Sequence, residues 1–189
     1  SIPELCVNDS LVLNLISPTG GIYSGNSISN GIFYSNNTNL GINSINYTYT
    51  DLNSCTNNQA ISLMVNNLTN ITSSNSLKNK FCFNDSISVL NNYFPIGGTY
   101  FGNGISNNLF NPTLAGIGQQ LVNYEFIDSN GCLSSIIDTF NVNPLAVVNL
   151  TSIEICENSP IVALNNGLPT GGTYTGIGIS NGFFEIQRP

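Results

Sequence analysis

Five cysteines, Cys6, Cys55, Cys82, Cys132 and Cys156, are the residues of this chain best suited to chemistry. A thiol can close a disulfide, ligate a soft metal or, as thiolate, attack an electrophile. The last two uses need company that the sequence does not supply. There is no C-x-x-C pair and no histidine. That excludes Cys-His and Ser-His-Asp nucleophiles, an imidazole base and His-ligated metals. The cysteines are therefore read as structural, no cofactor or metal is expected, and the chain is not expected to be an enzyme. Five cysteines suggest an oxidising compartment, and the odd number leaves one thiol over.

The other candidate groups have structural readings of the same kind. Asp51 and Asp128 each end an alternating run before a turn, where an aspartate usually closes an Asx turn. A glycosidase would need two carboxyls across one cleft, and no D-x-[DN]-x-[DN]-G loop is present to gather calcium ligands. The glycine-rich run Gly171–Gly178 superficially resembles a phosphate loop, but no helix follows it and no Lys-Ser/Thr closes it. It reads as turn and bulge glycine. Asp9-Ser10-Leu11 and Asp85-Ser86-Ile87 are equivalent and read as turns entering a strand. Tyr23, Tyr100 and Tyr174 are equivalent too, and read as packing residues rather than a sugar-stacking platform. Sequons begin at Asn8, Asn36, Asn46, Asn67, Asn70, Asn84 and Asn149, a number that 33 asparagines with abundant Ser and Thr produce by chance.

What positions these groups is an internal repeat. LCVNDSLVLNLISPTGGIYSGNSISNGIF (5–33), FCFNDSISVLNNYFPIGGTYFGNGISNNLF (81–110) and ICENSPIVALNNGLPTGGTYTGIGISNGFF (155–184) align. Later in the unit, Tyr47 to Asp51 precedes Cys55 as Tyr124 to Asp128 precedes Cys132. The unit is about 75 residues with two cysteines, read as 1–66 (first strand expected to be missing), 67–143 and 144–189 (expected to be truncated). A second cysteine of the third unit would fall near 205 or 206, which accounts for the unmatched Cys156. Repeat symmetry among the other four cysteines predicts Cys6–Cys55 and Cys82–Cys132. Each bond would close a loop of about 50 residues and contribute roughly 4 kcal/mol in the chain-entropy model.

Hydrophobic period within the unit is two, as for half-buried strands. It runs through Leu11, Leu13 and Leu15, Ile45, Tyr47 and Tyr49, Ile61, Leu63 and Val65, Val122, Tyr124 and Phe126, and Phe140 and Val142. Pro-x-Gly-Gly segments at 18–21, 95–98 and 169–172 and Asn130-Gly131 supply turns. No helix is predicted. The fold class expected is all-β: tandem immunoglobulin-like antiparallel β-sandwich domains, with about seven short strands and one disulfide per complete domain.

Charge narrows the partners. Net charge is −7 and the basic residues are Lys78, Lys80 and Arg188. Such a chain cannot neutralise a row of phosphates, so nucleic acid is excluded as a partner, and so is an anionic membrane surface. No apolar run is long enough to insert in a membrane.

The run C-x-N-x-S…P-x-G-G-x-Y-x-G-x-G-I-S-N-x-x-F, followed by Y-x-Y/F-x-D-x-x-x-C, resembles the tandem immunoglobulin-like repeats of giant cell-surface adhesins in Bacteroidota, including the SprB-type gliding adhesins. The resemblance covers nearly the whole chain. It implies type IX secretion, an extracellular place on the cell surface, and a long filament serving attachment or gliding. Its partners would be neighbouring repeats of the same long chain, with surface polysaccharide or other cells at the adhesive end. It also implies O-glycosylation of Asp-Ser-aliphatic motifs, making Ser10 and Ser86 candidate sites, whereas Asn158-Ser159-Pro160 departs from the motif. The alternative reading is a set of carbohydrate-binding or spacer modules attached to a large secreted enzyme.

Overall fold

The computed structural model describes residues 3–14, 16–36, 39–74 and 78–186. Its regular structure is nearly all strand, and the alternating runs explain why. In Gly41–Thr50 and Gly118–Ile127, Ile45, Tyr47, Val122 and Tyr124 turn inward and are buried. Their neighbours Ser44, Asn46 and Leu121 are exposed, as the two-residue period of a strand requires. Leu15, part of the first predicted run, lies outside the described residues.

The first two repeats are built alike around one long hairpin each. Gly41–Thr50 pairs antiparallel with Thr56–Asn66, setting Ile45 against Ile61. Gly118–Ile127 pairs likewise with Leu133–Asn143. A short strand lies on the hairpin's first arm, Ile22–Ser24 in one repeat and Thr99–Gly102 in the other, with Tyr23 opposite Tyr47 and Tyr100 opposite Tyr124. Small sheets (Ser10–Val12, Ile32–Tyr34 and Ile28–Ser29; Ser88–Val89, Leu109–Phe110 and Ile105–Ser106) complete each unit.

Two expectations need correction here. The sheets are not wholly antiparallel: Glu4–Cys6 runs parallel to Thr56–Asn66, and Lys80–Cys82 parallel to Leu133–Asn143. The strand entering the repeat lies beside the strand leaving it, and the intervening chain makes the crossover that a parallel pair needs. A single helical turn, Pro112–Ala115, is also present. Asn111 caps it by accepting the Thr113 and Leu114 N–H groups at 3.0 and 3.3 Å, and Pro112 opens it. Four residues are too few to show a helical period.

The buried side chains form two separate clusters. One gathers Val7, Leu13, Phe33, Ile45, Leu63 and Val65, with Leu68 packed against it. The other is aromatic: Phe81, Phe110 and Phe140 lie 4.8–5.3 Å apart by ring centroid, beside Tyr93, Tyr100 and Tyr124. The third repeat has two small sheets, Asn149–Leu150 with Gly167–Leu168 and Val162–Ala163 with Phe183–Phe184 and Ile179–Ser180. None of its described residues is buried.

Candidate functional site

Each long hairpin ends in a turn built by one aspartate. Asp128 Oδ1 accepts the N–H groups of Asn130 and Cys132 at 2.8 and 2.9 Å, while its own N–H donates to the Cys132 carbonyl. Asp51 does the same for Asn53 and Cys55 at 2.8 Å each. The cysteines at the start of each repeat are held in the same way from the other side: Asp9 accepts the Cys6 N–H and Asp85 the Cys82 N–H, both at 3.0 Å. All four cysteines thus sit in carboxylate-capped turns, and the Asx reading of Asp51 and Asp128 is correct. Hydrogen bonds from the Cys132, Asn130 and Gly131 amides hold the Asp128 carboxyl below its ordinary range. The Lys78 ammonium, 2.8 Å away, lowers that of Asp85, with help from the Cys82 amide.

The disulfide joins Cys6 to Cys132, across two repeats, with Cα atoms 5.5 Å apart. The expected pairs Cys6–Cys55 and Cys82–Cys132 are therefore wrong, as is one disulfide per complete domain. Cys55, Cys82 and Cys156 are free and exposed. The reason is strand geometry. Cys6 lies opposite Asn66, at one end of Thr56–Asn66, and Cys55 lies just beyond the other end. Eleven residues of extended strand separate those ends by about 36 Å, and a disulfide tolerates at most about 7 Å between Cα atoms. Cys82, opposite Asn143, stands equally far from Cys132. The second-repeat hairpin instead reaches back to the first repeat. There Cys132 is fully buried, and Thr69, just after the first-repeat hairpin, donates its hydroxyl to Asp128 Oδ2 at 3.3 Å.

A second constellation anchors each hairpin in its own repeat. The Gly98 N–H donates to Tyr124 Oη at 2.8 Å, and that hydroxyl donates to the Pro95 carbonyl at 2.5 Å. In the first repeat the Gly21 N–H donates to Tyr47 Oη at 2.7 Å, and Tyr47 donates to the Pro18 carbonyl. The peptide bond before each of these prolines is cis, as it is before Pro169. Glycine is required because a Cβ at position 21 or 98 would stand 2.5 Å from the tyrosine Cζ. Sequence reasoning singled out Gly-Gly and the tyrosine motif separately and missed that they form one seat. The signal was available, since glycine and tyrosine are 26 residues apart in both repeats.

The remaining predicted groups fall into place around these two features. Tyr23, Tyr100 and Tyr174 accept backbone N–H groups from Ile16, Asn92 and Gly167 at 3.1, 3.0 and 2.6 Å, as packing residues do. Burial raises the phenol pKa of Tyr100. It raises that of Tyr93 further, together with the Asp138 carboxylate accepting its hydroxyl at 2.8 Å. Ser10 and Ser86 are exposed, each next to an aspartate turned toward a cysteine. Among the described residues no three His, Cys, Asp or Glu side chains cluster to hold a metal, and no helix is long and apolar enough to cross a membrane. No protein-family model matches the chain, and no curated protein matches it.

Proposed function

We propose that this chain is a tension-carrying segment of a long, repetitive filament on the cell surface, built from tandem immunoglobulin-like β-sandwich repeats and serving adhesion. The observation that carries the reading is the Cys6–Cys132 bond, which fastens one repeat to the next. Pulling on the two ends of such a chain loads the disulfide and leaves the residues between 6 and 132 shielded. In the chain-entropy model, closing a loop of that length contributes about 5 kcal/mol against unfolding. The low charge suits a filament whose packing does not change with salt. A disulfide is also at home outside the reducing cytosol. The hydroxyls of Tyr23, Tyr100 and Tyr174 are engaged by backbone amides, which favours the filament over a carbohydrate-stacking module.

The direct check is immunogold electron microscopy of the source cells with antibodies raised against this chain. Gold is expected in rows along fibres leaving the surface. Recovery of the antigen solely as compact 20 kDa particles in the medium would sink the filament reading.

A further inference from the structure

The outer face of the second-repeat sheet is apolar where its counterpart in the first repeat is not. Val122, Tyr124, Phe140 and Val142 point into the core, so the residues between them on Gly118–Ile127 and Leu133–Asn143 point outward. Thr99–Gly102 adds Phe101 beside Asn123, which faces Ile137 on its other side. Phe101, Leu121, Ile127, Leu133 and Ile137 are each 48–66 % exposed. The same register in the first repeat puts Ser24, Ser44, Thr50, Thr56 and Ala60 at those five positions. The two backbones pair alike, so the fold does not demand the apolar set. Nor does the next repeat along the chain cover such a face. The five first-repeat residues are all exposed with the second repeat in place.

We propose that two copies of the chain pair through this face, sheet against sheet, about a two-fold axis. Area is the first argument for a second copy. The five side chains leave about 600 Å² of apolar surface in water, at the top of the range for the largest patch on a monomer. Two such faces together reach the lower bound of about 1,200 Å² for a specific interface. The placing of charge is the second argument. Glu125 lies between Thr99 and Ser135 and is held there by Asn123 Nδ2, which donates to its Oε1 at 2.7 Å. Lys80 lies toward the opposite end of the face, beside Asn141. It points outward because Phe81 points into the core, and it makes no ion pair among the described residues. Phe101, Leu121 and Ile137 occupy the rows between the two charges. A two-fold axis in the plane of the interface, through those rows, brings Lys80 of each copy to Glu125 of the other and lays apolar side chains on apolar side chains. Such an isologous contact is self-complementary and closes at two copies. In the first repeat the same two positions hold Glu4 and Thr48, so that face lacks the opposite charges as well. The pairing goes beyond the filament reading and does not depend on it.

The test is sedimentation velocity of the full 189-residue chain, with its exposed thiols alkylated so that no disulfide links copies. A dimer with a dissociation constant of about 100 μM or tighter is expected. Phe101→Ser and Leu121→Ser, which put the first repeat's residues in the second, should each weaken it about tenfold or more. Both side chains are exposed, so thermal unfolding followed by circular dichroism should stay close to that of the unsubstituted chain. Lys80→Glu and Glu125→Lys should each weaken the dimer about fivefold, because like charges then meet at both ends of the face. An equimolar mixture of those two variants should recover the original affinity, since opposite charges face each other again at both contacts. A chain that stays monomeric up to that concentration overturns the proposal and leaves the face to a different protein. A dimer that neither serine variant weakens overturns it too, as does a charge-variant mixture no tighter than either variant alone. Sedimentation reads pairing in solution and gold rows read the filament, so each can fail without the other.

Discussion

The second and third repeats begin with closely similar thirty-residue runs, 81–110 and 155–184, and end in different physical states. In the second, a long hairpin covers the run: Tyr124 sits over Gly98, ten residues form a buried core, and the hairpin tip is bonded to the repeat before it. In the third the same turn, the same proline and the equivalent Tyr174 are in place, yet none of its described residues is buried. The described residues of the third repeat thus form their turns without gathering a buried core. In the second repeat the hairpin supplies the facing sheet, and its tip links that unit to the one before it.

The same methyl group placed at Gly98 and at Gly172 should affect the two repeats very differently. Gly98→Ala should destabilise the second repeat by about 3 kcal/mol, because the new Cβ collides with the Tyr124 ring and the Glu125 carbonyl. Gly172→Ala should change stability by less than about 0.5 kcal/mol, since its Cβ meets open space. Urea unfolding followed by tyrosine fluorescence measures both, and similar losses would remove the distinction. Next in size, Tyr124→Phe leaves the Gly98 N–H and the Pro95 carbonyl unsatisfied beneath the ring and should cost about 2 kcal/mol in the same experiment.

Alkaline titration sharpens the contrast further. The phenols of Tyr93 and Tyr100 are held above their ordinary pKa by burial, and that of Tyr93 also by Asp138. In the unfolded chain they release protons near pH 10. Their contribution to stability is therefore full below about pH 10 and is lost as pH rises toward their folded values. Absorbance at 295 nm should show a late tyrosine fraction that ionises together with loss of the second repeat. If all tyrosines ionise near pH 10 with the fold intact, the buried aromatic core is wrong.

Much of this architecture was legible in the residues. The two-residue period of Ile45, Tyr47, Ile61, Leu63 and Val65 specifies the hairpin, and the recurrence of Asp before Cys specifies its tip. Strand direction was not legible, because alternation is the same in parallel and antiparallel pairs, and nothing in the residues distinguishes the parallel placement of Glu4–Cys6. Nor was the disulfide. Repeat symmetry demands that equivalent cysteines have equivalent partners, but pairing within a unit and pairing with the next unit satisfy it equally. Strand length decides between them, since Thr56–Asn66 holds Cys6 and Cys55 at opposite ends. That length became visible only with the register. The tyrosine seat was hidden for a related reason, its halves lying 26 residues apart on elements whose contact depends on the hairpin folding back.

Single-molecule extension of the chain by its termini, with free thiols alkylated, distinguishes one bond spanning two repeats from bonds closed within single repeats. Reducing a Cys6–Cys132 bond, which spans 126 residues, should add one length increment of about 430 Å. Two separate increments of about 170 Å each, the lengths of loops closed within single repeats, would contradict it.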